Sequence, residues 1–335
     1  ILEKYRNKNS LNWDCVVPVS GGKDSTYQVI EMLKLGLNPL CVTSTTCDLS
    51  ELGRTNIKNI KNLGVDYLEV SPNPSIRVKL NRIGLRQVGD ISWPEHVGIF
   101  TIPVRAAVQY KIPLIIWGEN SQNENGGPAA AAKNNILNRK WLEEFGGLLG
   151  MRVTDMIGMD GIKKRDLITY TYPSDLELKK VGVTGLFLGH YIPWDGISNS
   201  IIAQKNGFKT YEKVVEGSMV NYENLDNHQT GIHDYFKFLK YGYDRVSDWG
   251  SLQIRRERLK REEAIILSRE NGGKYPHNYL GKNLNEILKY IDMTNDEFDD
   301  LFLKFTNKKL FQKNSDGSLK YDNSGNLIKL NYDNE

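Results

Sequence analysis

Asp14-Cys15-Val16-Val17-Pro18-Val19-Ser20-Gly21-Gly22-Lys23-Asp24-Ser25 decides how this chain folds. Residues 14–19 are a short apolar run suited to a buried strand. Residues 20–25, SGGKDS, are too rich in glycine to extend it. A helical pattern then runs from Thr26 to Leu35, with Tyr27, Ile30, Met32 and Leu33 apolar and Gly36 placed as a helix-ending glycine. Glycines let the backbone turn sharply and bring its N–H groups close to an anion. The helix start adds unsatisfied donors and a partial positive charge. Lys23 can neutralise a phosphate, and the Ser20 and Ser25 hydroxyls can donate to one. Asp24 makes sense in such a site if Mg²⁺ bridges it to the phosphates.

Working outward, residues 37–43 read as the next strand. Ser50 caps a helix from Glu51 to Leu63 that Gly64 closes, and 65–70 read as a third strand. A helix near 99–110 and a strand at 112–117 continue the alternation, which predicts a parallel sheet with helices on both faces. Pro18 removes one ladder hydrogen bond from the first strand. Residues 118–135 are polar and glycine-rich, then helical, and they follow a strand, where open α/β sheets carry their ligands. A further strand is expected at 185–190. Helices are expected at 229–241, 252–270, 283–290 and 295–306. Asp316-Gly317 and Ser324-Gly325-Asn326 are turn signals for a β-ribbon. The expected organisation is an α/β domain over 1–196, a helical portion over 197–310 and a ribbon tail over 311–335.

Lys and Arg number 44 against 41 Asp and Glu, a net charge of +3 over 335 residues. A dedicated nucleic-acid binder carries a clearer basic surplus, so no nucleic-acid partner is expected. Hydrophobic residues at 39% and charged residues at 25% are those of a globular chain. No apolar run approaches the roughly 18 residues of a membrane span. Three cysteines (Cys15, Cys41, Cys47) exclude a disulfide scaffold and point to a reducing, cytoplasmic setting. They form no C-x-x-C pair, which weighs against a sulfur-transferring enzyme.

SGGKDS is neither a Walker A loop nor a dinucleotide G-x-G-x-x-G. It resembles the PP-loop of the ATP pyrophosphatases, whose Rossmann-like fold is of the adenine nucleotide alpha hydrolase type. Longer stretches resemble the N-acetyl sugar amidotransferase family of surface-polysaccharide and flagellin-glycan pathways. They are VPVSGGKDSTYQV (17–29), LNRIGLRQVGDISWPEHVGIFTIPVR (80–105), IPLIIWGENSQNENGGP (112–128), WLEEFGGLLGMRVTDMIG (141–158), FLGHYIPWDG (187–196), VEGSMVNYENLDNHQTGIHDYFKFLKYGYDR (215–245), LKREEAI (259–265) and FTNKKLF (305–311). The resemblance implies ATP and Mg²⁺ as cofactors and conversion of an acetamido group to an acetamidino group. It implies ammonia from a glutaminase with a barrel-shaped channel partner, and a sugar that is nucleotide-linked or a nonulosonic acid. Family members usually open with a cysteine-bearing, zinc-binding segment, which Ile1 follows. Asn125 departs from the family's E-Y-G-G pattern. The rivals are an RNA-modifying adenylating enzyme and a non-catalytic nucleotide-binding subunit.

Ser20, Gly21, Gly22, Lys23, Asp24, Ser25 and Gly118 are the expected nucleotide-binding residues, with Asp24 on the metal. Glu119, Asn120 and Glu124 follow the 112–117 strand and are expected to hold sugar or nucleotide. GDISWPEHVG (89–98) shows no regular period and reads as a loop. Trp93 would stack on a sugar ring there and Glu95 would bind its hydroxyls. Asp195 is expected on the opposite wall. Arg245, Asp248 and Arg255 lie in the clearest basic cluster. Arg255 borders the apolar spacing Leu252, Leu259, Ile266, and a buried arginine needs an anion such as pyrophosphate. Lys23, Asp24 and Arg255 are the expected catalytic groups.

Overall fold

The computed structural model describes residues 2–6, 11–118, 136–137 and 147–330. The first strand is β1 (Cys15–Pro18), and α1 (Lys23–Lys34) starts three residues earlier than the apolar spacing suggested. Then come β2 (Pro39–Ser44), α2 (Glu51–Asn62), β3 (Asp66–Val70), α3 (Pro74–Val88), α4 (Trp93–Gln109) and β4 (Leu114–Trp117). Next are β5 (Ile136–Leu137), α5 (Asp175–Val181), β6 (Thr184–Phe187) and α6 (Gly196–Lys205). The chain is an α/β protein. Its sheet runs in the order β3-β2-β1-β4-β6-β5, with five strands parallel and β5 antiparallel at one edge. Chain order reverses between β1 and β4, so the switch point lies at their carboxyl ends.

Alternation in the strands loads both faces. Val16, Leu40, Val42, Ile115 and Trp117 pack with Ile102 and Ala107 of α4. Cys15, Val17, Cys41, Leu114 and Ile116 pack with Val29 and Met32 of α1 and Ile60 of α2. Pro18 is tolerated because Val19 donates to Val42 O at 2.9 Å just beyond it. Ser50 caps α2 as expected, accepting from Gly53 N at 2.8 Å.

The cysteines are packing groups. All three are free and buried. Burial, with Asp66 adding charge repulsion, pushes the Cys41 thiol up to about 12, and burial beside Asp14 pushes Cys15 higher still. Native protein at pH 8 is therefore expected to resist iodoacetamide, while unfolded protein takes up three equivalents, readable by mass. The sign follows from the raised folded values. This stabilising contribution is whole below the ordinary thiol value of 9.0 and fades as pH climbs through it toward 12.

The chain divides into two compact units: Ile1–Leu80 with Trp93–Thr210 and Tyr222–Asn227, and Asn81–Ser92 with Tyr211–Asn221 and His228–Glu335. The second contains α7 (Thr230–Tyr241), α8 (Arg245–Arg255), α9 (Arg261–Asn271), the β7–β8 ribbon (Asn278–Tyr279, Lys282–Asn283), α10 (Leu284–Tyr290) and α11 (Asn295–Phe305). Its core is aromatic: Phe236 meets Phe298 at 5.6 Å and Phe305 at 6.0 Å between ring centroids. The tail pairs by antiparallel bridges Phe311–Lys329, Lys313–Leu319 and Tyr321–Leu327, with turns at Gly317 and Gly325.

Two expectations are corrected. The helix expected over 252–270 is two helices, α8 and α9, because Arg256 ends the first and Glu257 turns left-handed at φ 57°. Leu252, Leu259 and Ile266 therefore form no single stripe, and Ile266 is exposed. The expected loop 89–98 is mostly helix: α4 begins at Trp93, and Pro94 sits in its first turn, where its missing N–H costs nothing. Among the described residues no helix is long and apolar enough to cross a membrane.

Candidate functional site

Ser20 to Ser25 link β1 to α1 at the switch point. Gly21 holds φ at +87°, and a Cβ there would lie 2.9 Å from Ile57 N. Only glycine fits that turn, on conformation and on space. Gly22 is the N-cap without a side chain. Its carbonyl accepts from Thr26 N at 3.0 Å, Ser25 Oγ at 3.1 Å and Thr26 Oγ1 at 2.9 Å. Ser20 Oγ accepts from Gly22 N at 3.3 Å.

Lys23 is the first residue of α1 and only 8% exposed. Its Nζ donates to Asp24 Oδ2 at 2.6 Å and lies 3.5 Å from Glu223 Oε1. It also sits 5.7 Å from the centre of the Tyr222 ring. Asp24 Oδ1 accepts from Asn199 Nδ2 at 2.8 Å. Asn199 reaches Asp24 because Asp195 caps α6, accepting from Ile197 N at 3.3 Å and Ser198 Oγ at 3.0 Å. A Cβ at Gly196 would come within 3.3 Å of Lys23 Cε, so that glycine makes room for the lysine stem.

The strip Tyr222–Asn227 is held by the start of α2. Ser50 N donates to Asp226 O at 2.9 Å, the Ser50 hydroxyl donates to Leu225 O, and a Cβ at Gly53 would meet Asp226 Cα at 2.7 Å. Burial raises the Asp226 pKa there. This anchoring sets Glu223 beside Lys23.

Gly118, at the end of β4, accepts through its carbonyl from Gly189 N at 3.1 Å. Cβ atoms at Gly118 and Gly189 would each lie 3.2 Å from Trp194, which packs edge-on against Tyr27 at 5.5 Å. Gln28 donates to Ile116 O beneath them. These groups border the same carboxyl edge.

The residues present fit a Mg²⁺-nucleotide. A glycine turn without side chains, a helix N-terminus and a buried lysine suit phosphate oxygens. Asp24 and Glu223, two carboxylates sharing one ammonium, supply oxygen ligands of the kind Mg²⁺ takes. Lys23 alone balances only one of their two charges, so a bound polyphosphate calls for a cation as well.

The other expected site residues separate. Glu119, Asn120 and Glu124 lie outside the described residues. Trp93 is 0% exposed and its indole N–H donates to Leu148 O at 3.1 Å. It is a core residue and offers no face to a sugar. Glu95 is buried in α4 and raises the Tyr170 pKa, after burial, the largest cause. Asp195 caps a helix. Arg245 and Asp248 belong to α8 in the second unit, where Arg245 holds Asp234 with two bonds of 3.2 and 2.8 Å and Asp248 pairs with Lys237. Arg255 ends α8 and is exposed, not the buried arginine expected. Asn199, Tyr222 and Glu223 carried no local signal. Tyr222 and Glu223 lie within the 215–245 stretch of the resemblance, and Asn199 lies three residues past the 187–196 stretch.

Fold and loop together define an α/β protein whose sheet carries, at its switch point, a glycine-rich turn that resembles a PP-loop. Residues 208–324 match the family model for the C-terminal domain of LPS biosynthesis protein WbpG-like chains, which is about a third of the chain. No curated protein matches the chain. A solved structure described as a predicted subunit of tRNA methyltransferase from Methanocaldococcus jannaschii is 11% identical, covering 72% of this chain and 87% of that one, with a TM-score of 0.31. A likeness that low bears on neither fold nor function.

Proposed function

We propose that this protein is an ATP-dependent, AMP-forming amidotransferase that turns the acetamido group of an N-acetylated sugar into an acetamidino group during surface-glycan assembly. The observation that carries it is the Lys23–Asp24–Glu223 cluster on the glycine turn. The match of 208–324 to a lipopolysaccharide-biosynthesis domain supports the glycan setting.

An amide carbon resists amines because its oxygen is a poor leaving group. In the proposed reaction that oxygen attacks the α-phosphorus of ATP, the bond to pyrophosphate breaks, and an O-adenylated imidate forms. Ammonia adds to the imidate carbon, the C–O bond breaks, and AMP leaves with the oxygen. One proton is released and the amidinium remains. Lys23 and the turn's N–H groups hold the β- and γ-phosphates, and Asn199 keeps Asp24 oriented. Asp24 and Glu223 would hold Mg²⁺, which when bound offsets the phosphate charge. Ammonia is the nucleophile, so no side chain need be one. A glutaminase with a channel-forming partner is its proposed source. The buried, protonated thiols weigh against RNA thiolation.

The test mixes protein, ATP, Mg²⁺, an ammonium salt and N-acetylated sugars. AMP is expected, with a product lighter by about one mass unit because NH replaces O. Release of ADP and phosphate, or AMP release driven by tRNA and by no sugar, sinks the proposal.

A further inference from the structure

The second unit contains a cavity of 480 Å³ walled entirely by its own residues. All of them lie within the 208–324 match. Small-molecule sites occupy roughly 300–1,000 Å³, so the volume suits a ligand of monosaccharide size.

The charges on its wall balance. Lys213, Arg245 and Lys274 face Glu216, Asp234 and Asp244, and three minus three leaves zero. Such a wall gives a polyphosphate no net attraction. Four of these six charges are held in pairs. Arg245 is bonded twice to Asp234, while Glu216 lies 3.3 Å from Lys213 and accepts from Leu280 N at 3.1 Å. Donors and acceptors side by side match hydroxyls, each of which both donates and accepts. Aromatic surface is present too: the Tyr275 and His277 rings stand 4.7 Å apart at 50°. Ring faces of this kind cover the C–H face of a pyranose. Tyr235 also lines the cavity. It is 3% exposed, and its hydroxyl has no hydrogen-bond partner among the described residues.

We propose that this cavity binds the ring of an N-acetylated sugar, and that it takes the ring as an uncharged polyol without recruiting phosphate. That this sugar is the substrate rests on the amidotransferase reading. Tyr275 and His277 are the stacking residues.

Binding of N-acetylglucosamine, N-acetylgalactosamine and N-acetylmannosamine to the full chain, without nucleotide, is followed by saturation-transfer NMR up to about 50 mM. At least one is expected to bind. Tyr275→Ala and His277→Ala should each weaken it about tenfold, Tyr275→Phe should restore it, and inorganic phosphate should not displace it. Melting curves of the variants check the fold, and exposed His277 guards against an unfolded Tyr275→Ala. No binding by any of the three, unchanged binding in both alanine variants, or displacement by phosphate overturns the assignment. The two readings fail separately. Sugar bound in the cavity with no AMP from any sugar removes the amidotransferase reading alone. AMP formation with unchanged KM for sugar in both alanine variants removes the cavity assignment alone.

Discussion

Lys23→Met is expected to lower AMP formation by roughly 10³-fold or more, about 4 kcal/mol of transition-state stabilisation. Methionine keeps an unbranched stem beside Gly196 but removes the ammonium that Asp24 and Glu223 share. The two carboxylates then face each other's charge without a cation. Asp24 and Glu223 side chains are 29% and 21% exposed, so water screens part of that repulsion and the loss of stability should stay near 1 kcal/mol. Release of AMP from ATP with sugar and ammonium, set beside thermal unfolding, separates the two effects. A variant that melts normally yet turns over at the wild-type rate would remove the turn from the chemistry.

The second large effect is on stability. Trp93→Ala is expected to cost about 3–5 kcal/mol, because a fully buried indole leaves a cavity that the surroundings fill only in part. The Leu148 carbonyl also loses its donor at 3.1 Å. Denaturant unfolding should show the midpoint fall, with Trp93→Phe recovering part of the loss through volume but not the hydrogen bond. Had Trp93 been a sugar platform, the alanine variant would raise KM at unchanged stability. That outcome would contradict its place in the core.

Much of the first unit was legible in the sequence. β1, the SGGKDS turn, α1, β2, the Ser50 cap and α2 all follow from local rules: strand alternation, glycine turns, helix periodicity and capping chemistry. The turn at Ser20 to Ser25 was legible for the same reason, since it is built from consecutive residues between a strand and a helix. The rest failed where a residue's role depends on what packs against it. Trp93 and Pro94 look like a binding loop because aromatic, proline and charged residues mix without a period. The period is absent because α4 is buried nearly all round, so it carries no polar face to mark it. Arg255 looked buried because the apolar spacing was carried through Glu257. That residue's left-handed backbone breaks the helix, and no local signal announced it. Asp195 was legible by its neighbourhood, and its capping task was not. Its carboxylate caps α6, and the residue it serves is Asn199.

The sequence by itself determined that a glycine-rich turn stands between a strand and a helix of a parallel α/β sheet, because each part obeys short-range geometry. Only the tertiary structure decided which groups surround Lys23. Asn199 meets Asp24 across 175 positions of chain, and Glu223 arrives on a strip tied down by Ser50. Such meetings are set by how elements pack, which the order of residues along any one element does not record.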